Sequence, residues 1–190
     1  GKDTLAARLV AAHGFTRVAF ADPLKAAALE VNPIVGTYYQ TAQRAGDFPT
    51  TDVDIVRLSE AIDAIGWERT KDVYPEARRY LQAHGVAMRK INAGVWCEAG
   101  LAAVRAARVA GPVVVTDVRF PNEIDGLYDL GATSVRIRRP DTEDGDTHES
   151  ETALDFYVPY LIINNVGTLS DVTAHADWLA GWVTRDVFPR

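Results

Sequence analysis

GPVVVTDVRFPNE, residues 111–123, is the stretch from which the rest of the chain is read. Gly111-Pro112 breaks whatever precedes it, and three valines follow as an abrupt β-branched strand. Such a run suits a strand buried within a parallel sheet. Asp117 then stands at the carboxyl end of that strand, Arg119 two residues beyond it, and Asn122-Glu123 open a helix. Parallel sheets present ligands beyond the carboxyl ends of their strands. A carboxylate placed there can hold a magnesium-bound water, and a guanidinium can fork onto a phosphate. The same two residues could also form an ion pair that closes the strand, so the neighbouring segments have to decide.

Towards the amino end, residues 2–13 place Leu5, Leu9 and Val10 near one helical face, and Gly14 closes the helix. Residues 18–21 read as a short buried strand. Asp22-Pro23 reads as a helix start, with Asp22 as N-cap and Pro23 at the first helical position. Lys25 lies on that helix. Residues 32–57, with Pro33, Gly36, Gly46 and Pro49, read as an insert that is mostly loop. Residues 58–66 and 75–84 read as helices that each end at a glycine, and residues 95–110 as an Ala-rich helix. Arg78 and Gln82 are four apart and share a helix face; Arg89 lies just past Gly85. A guanidinium and an amide suit a phosphate and a base edge, and they equally suit a solvated surface.

Towards the carboxyl end, residues 121–131 read as a short helix and residues 132–140 as a strand. Arg136 and Arg138 alternate along that strand and Arg139 ends it. An acidic loop follows, then a helix start at Ser150-Glu151, a strand over residues 160–165, and a closing amphipathic helix capped by Thr168 or Ser170. Arginines beside an acidic loop suit a lid over residues 139–150, mobile without ligand and protected with nucleotide bound, and they equally suit a solvent-exposed acidic turn balanced by nearby arginines. Strands alternating with helices predict an α/β layer with a parallel sheet.

Composition narrows the partners. Twenty Lys plus Arg against 26 Asp plus Glu give a net charge of −6, unsuited to wrapping a polymeric nucleic acid, whose affinity depends on neutralising phosphates. Basic residues that converge locally can still take a small anion. Cys97 is the one cysteine, so no internal disulfide forms, and its Ala-rich helix predicts a buried, inert thiol. The histidines and Cys97 make no zinc pattern. No apolar run approaches the roughly 20 residues needed to span a bilayer. The expected compartment is the cytoplasm. The oligomeric state stays open, a homodimer included.

Gly1-Lys2-Asp3-Thr4 supplies the last part. It reads either as the tail of a P-loop, a lysine for β and γ phosphates and a hydroxyl for magnesium with Asp3 interposed, or as a plain helix start with an exposed lysine and an acid near the positive dipole end. The first strand and the front of that loop are expected upstream of residue 1. GKDT, FADPLK, RRYLQ with Arg89 seven residues on, TDVRFPNE, VRIRRP, HESE and IINN, in that order, resemble the deoxynucleoside monophosphate kinases of bacteriophages. The resemblance covers nearly the whole chain. TDVRFPNE and FADPLK are its most specific pieces, and residues 32–72 carry none of it.

That resemblance implies a P-loop nucleotide kinase fold, with a parallel sheet of about five strands and helices on both faces. The chain, residues 1–190, would be a single kinase domain, with residues 32–72 an insert in the acceptor-binding region. The reaction would be phosphoryl transfer from ATP to a deoxynucleoside 5′-monophosphate. Gly1, Lys2, Asp3 and Thr4 would bind ATP; Asp3, Thr4 and Asp117 would hold Mg2+. Asp22, Lys25, Arg78, Gln82, Arg89, Trp96, Arg119, Glu123 and Glu151 would bind the acceptor. Lys2, Asp117, Arg119, Arg138 and Arg139 would be catalytic. Two alternatives share the fold: another small-molecule P-loop kinase, and a non-catalytic nucleotide-binding protein.

Overall fold

A computed structural model describes residues 1–42, 50–138 and 153–186, with the backbone alone at residues 40–42, 50–52 and 184–186. It is mixed α/β. In chain order the elements are α1 (Lys2–His13), β1 (Thr16–Val18), α2 (Ala21–Val31), β2 (Ile34–Ala42), β3 (Thr50–Arg57), α3 (Leu58–Val73) and α4 (Pro75–Ile91). Then come α5 (Val95–Arg108), β4 (Val113–Val115), α6 (Pro121–Asp129), β5 (Val135–Arg138), β6 (Leu161–Asn164) and α7 (Leu169–Asp186). The chain divides into two compact units: Gly1–Ala21 with Trp96–Arg190, and Asp22–Val95.

The first unit holds two parallel strand pairs. β1 pairs with β4, Thr16 opposite Val113 and Val18 opposite Val115. β5 pairs with β6, Val135 opposite Leu161 and Arg138 opposite Asn164. Parallel pairing requires a crossover, and the β1-to-β4 crossover carries the whole second unit. The predicted sheet of five strands is not formed among the described residues, whose strands join only two by two. Both pairs nevertheless feed one core: Val114, Val135, Ile137, Leu161 and Ile163 pack with Leu5 and Leu9 of α1 and with Val172, Ala176 and Leu179 of α7. A second cluster joins Phe20 and Val18 to Leu101 and Val104 of α5 and Leu127 of α6.

Several elements depart from the sequence reading. Val10 is 40% exposed, and Ala6 takes its expected place in the core beside Leu5 and Leu9. Gly14 does close α1, at φ 69, with its N–H returned to the Leu9 carbonyl. The first strand ends at Val18, and α2 already begins at Ala21, so Asp22 lies inside the helix and is not its N-cap. Thr168, not Ser170, caps α7: its N–H and hydroxyl both donate to Asp171, at 2.6 and 2.8 Å.

The second unit corrects the loop reading most. Residues 34–42 and 50–57 form an antiparallel hairpin, with Thr37 opposite Ile55 and Tyr39 opposite Val53. Of the two helices read as ending at a glycine, the first does so and the second does not. α3 breaks at Gly66, φ 76 and ψ 162, and then resumes to Val73, with the Thr70 hydroxyl donating to the Gly66 carbonyl at 2.9 Å. α4 runs straight through Gly85, because a side chain there would meet Leu24 of α2 at 3.3 Å. The glycine lets two helices approach; it does not stop one. Ala28, Val35, Leu58, Ala61 and Ala77 form this unit's core. Burial of Leu58 alone contributes about 1.5–3 kcal/mol.

Candidate functional site

In the first unit, the chemistry gathers where strands end. Asp117 follows β4, and both its oxygens are engaged: Oδ1 accepts from the Phe20 N–H at 2.8 Å and Oδ2 from the Ala21 N–H at 2.9 Å. The carboxylate therefore caps α2 from across the sheet, the role the sequence reading assigned to Asp22. A carboxylate has about four lone-pair sites, so each oxygen keeps one for a ligand. Glu123 is buried and capped in turn: it accepts from the backbone N–H groups of Arg119 at 2.8 Å and Phe120 at 3.2 Å. That fixes the Arg119 backbone while its side chain lies exposed.

Gly1 stands against the ends of the other strand pair. A side chain on it would come within 2.7 Å of the Asn165 amide nitrogen and 3.4 Å of Ile137. Asn165 in turn donates its backbone N–H to the Arg138 carbonyl at 2.7 Å. α1 thus starts beside the carboxyl ends of β5 and β6, and no side chain caps it. First-turn N–H groups without partners in their helix, together with the helix dipole, favour an anion. Lys2 and Asp3 are exposed there, their charged atoms 3.7 Å apart. Arg138 is the exposed last residue of β5. Trp96, read as an acceptor contact, is buried. Arg139, Glu151 and the expected lid over residues 139–150 lie outside the described residues.

Cys97 is half-buried, and its thiol donates to the Asn122 carbonyl at 3.3 Å. Burial first, then the nearby charges of Glu123 and Glu98, push its pKa up, which keeps it in the inert thiol form. Among the described residues no group of three or more His, Cys, Asp or Glu could hold a metal ion.

In the second unit, Lys25 and Arg78 converge on one half of α3. The Lys25 ammonium lies over the Trp67 ring, 5.4 Å from its centre. Arg78 donates to Asp72 at 3.1 Å. Glu68 sits below the usual carboxylate range, chiefly because Lys71 bonds it at 2.6 Å, and in smaller part because of the charges of Lys25 and Arg78. Arg89 comes back towards Gly85, where α4 crosses α2. Asp22 is half-buried on α2, and Gln82 is exposed on α4 between Arg79 and Lys90. Trp67, Glu68 and Asp72 escaped the sequence reading because they fall within residues 32–72. The signal was there in WERTKD, residues 67–72, where an aromatic and alternating charges stand at helical spacing.

The family model described as deoxynucleotide monophosphate kinase matches residues 40–175. That stretch includes Arg78, Gln82, Arg89, Asp117, Arg119, Glu123 and Arg138, and it takes in β3 and α3. A protein of Acanthamoeba polyphaga mimivirus named "Putative deoxynucleotide monophosphate kinase" is 27% identical over 174 residues, 87% of this chain and 83% of that one. "Uncharacterized protein ORF77" of Ictalurid herpesvirus 1 (strain Auburn) is 40% identical over 88 residues, 44% of this chain. The chain thus spans 39% of the herpesvirus protein's length and most of the mimivirus protein's.

Proposed function

Because the chain belongs to the deoxynucleotide monophosphate kinase family, whose reaction is phosphoryl transfer to a deoxynucleoside monophosphate, we propose that it uses ATP to convert a deoxynucleoside 5′-monophosphate to the diphosphate. The observation that carries this reading is the pair at the end of β4, within the matched stretch: Asp117, rigidly held by two backbone N–H groups, and Arg119, exposed two residues on.

An oxygen of the acceptor phosphate attacks the γ-phosphorus, the bond to the β–γ bridging oxygen breaks, and ADP leaves with the electron pair. No covalent enzyme intermediate forms. The work of the protein is positioning and neutralisation of charge. The uncapped first turn of α1 and Lys2 take the donor phosphates. Arg119 forks onto the acceptor phosphate, and Arg138 and Arg139 steady the transferring group. Lys25, Arg78, Gln82 and Arg89 are acceptor-binding residues in this reading, as are Asp22, Trp96, Glu123 and Glu151. Glu123 acts here by fixing the Arg119 backbone.

In this reading Asp3, Thr4 and Asp117 would hold Mg2+, Asp117 with one lone pair left on each oxygen. That ion is commonly held by one or two carboxylates plus substrate phosphates, without a dense cage of protein ligands. Once bound it would neutralise the β- and γ-oxygens. The finer architecture belongs to the same proposal. The two parallel pairs, which share a core, would belong to one sheet of about five strands. Residues 139–150 would close as a lid, and residues 32–72 would form part of the acceptor-binding region. The enzyme would work on free nucleotides in the cytoplasm; among the described residues no helix is long and apolar enough to cross a membrane.

The test is coupled ADP release by the full-length polypeptide, offered each common deoxynucleoside and ribonucleoside monophosphate. Release that depends on a deoxynucleoside monophosphate is expected. ATP binding without release for any monophosphate would leave a non-catalytic nucleotide-binding protein instead.

A further inference from the structure

We propose that Trp67 is a positioning residue of the acceptor site, holding the Lys25 ammonium where an acceptor monophosphate meets it; the proposal rests on the acceptor reading of Lys25 given above. A lysine on a helix surface has a flexible four-carbon stem and about 2 kcal/mol of rotamer entropy to lose when its charge is fixed. Something must localise Lys25 before a ligand arrives, and the structure offers Trp67, whose ring centre lies 5.4 Å from the Lys25 nitrogen. That is within the range of an effective cation–π contact, for which tryptophan has the best face.

The placement of Trp67 is built, not incidental. Gly66 breaks α3 at φ 76, a conformation that side-chain-bearing residues rarely adopt. The helix resumes at once, and the fully buried Thr70 ties the new turn back to the Gly66 carbonyl at 2.9 Å. Trp67 is therefore the first side chain after the break, and its half-buried body packs against the Ala28, Leu58 and Ala77 core. The break aims the ring at α2, and the core fixes it there.

The charges around it fit a site that waits for a dianion. Lys25 and Arg78 both act on Glu68, so the two cations lie in one electrostatic neighbourhood, with Lys71 bonded to the same carboxylate. Asp72 takes Arg78 at 3.1 Å. Carboxylates hold the cations until a phosphate replaces them, while the ring holds Lys25 without occupying any of its three N–H donors. This last point separates Trp67 from Glu68: a π face orients the ammonium and leaves it all its hydrogen bonds for the ligand.

The experiment uses the full-length polypeptide, varies dNMP and ATP separately, and records a melting curve for each variant. Trp67→Leu should raise the acceptor KM about three- to tenfold, the strength of a cation–π contact. ATP KM should not move and kcat should stay near wild type, the pattern of lost uniform binding. Trp67→Phe, which keeps a π face, should recover most of the affinity even if its melting temperature falls as far as that of Trp67→Leu. In a Lys25→Met background, Trp67→Leu should add nothing further. An unchanged acceptor KM for Trp67→Leu, with Lys25→Met raising it, overturns this inference and leaves the acceptor reading intact. If Lys25→Met itself leaves the acceptor KM unchanged, the reading of Lys25 falls first, and this inference with it.

Discussion

Asp117 serves two structural masters at once, since its two oxygens accept N–H groups 97 and 96 residues away in the sequence. Removing it should cost about 1–2 kcal/mol, as the loss of a helix cap does. Asp117→Asn separates the duties: the amide keeps one acceptor oxygen for α2 but loses the charge. Its melting temperature should fall less than that of Asp117→Ala, while turnover falls by a similarly large factor in both. Equal turnover for Asp117→Asn and wild type would confine the residue to capping. Arg119 invites the complementary test. Its backbone is held by Glu123, so its side chain can change with the local fold intact. Arg119→Lys should raise the acceptor KM and lower kcat, with ATP KM little changed, because lysine cannot reproduce the bidentate fork. A lower melting temperature with unchanged acceptor KM would make Arg119 structural. Lys2 is exposed and packs against little. Lys2→Ala should therefore change stability by no more than about 0.5 kcal/mol while cutting turnover by orders of magnitude. Near-normal turnover would remove it from the donor site.

Two glycines on facing helices show how elements are fitted together. In α5, a side chain at Gly100 would meet the ring of buried Phe20 at 2.2 Å; in α6, one at Gly126 would meet the Leu101 methyl carbon at 2.5 Å. A rigid ring cannot yield as the end of a leucine can. Gly100→Ala should destabilise by about 1–3 kcal/mol, the cost of overpacking. Gly126→Ala should come out near neutral, since helix propensity returns about 1 kcal/mol. Urea unfolding of the two variants checks this, and equal effects would mean that Phe20 can move aside. Glycines also explain what was legible. Gly14 closes α1 because the chain turns there, and the sequence said so. Gly85 looks like a stop signal but is a contact point between α4 and α2, which only the partner element reveals. The hairpin escaped for a related reason: Pro33, Gly36 and Pro49 outweighed the β-prone Thr37-Tyr38-Tyr39 and the alternation of residues 52–55.

At the scale of the whole molecule, strand order and the residues at strand ends were readable, because β-branched runs and their punctuation are local. The joining of strands into sheets was not, since that depends on which chain edges meet. Asp177 shows another long-range tie. It binds Arg8 at 2.8 Å and His13 at 2.7 Å across 169 and 164 residues, clasping α7 to α1 near the two ends of the first unit. No sequence period announces such a clasp. The hydrogen bond from Arg8 first, then the one with His13, holds the Asp177 carboxyl at about 2, below the ordinary value of about 3.9. A carboxylate whose pKa is depressed by folding stabilises the fold above its unfolded pKa, and the contribution disappears as the pH falls through the folded one. Wild type should therefore melt above Asp177→Asn by a constant margin between about pH 5 and 7, and the margin should shrink from about pH 4 downwards, closing towards pH 2. Both partners are partly exposed, so added salt should narrow the margin at neutral pH as well. Melting curves of the two proteins across that range, at low and high salt, make the comparison. A margin that ignores both pH and salt would mean that Asp177 holds α7 by packing and not by charge.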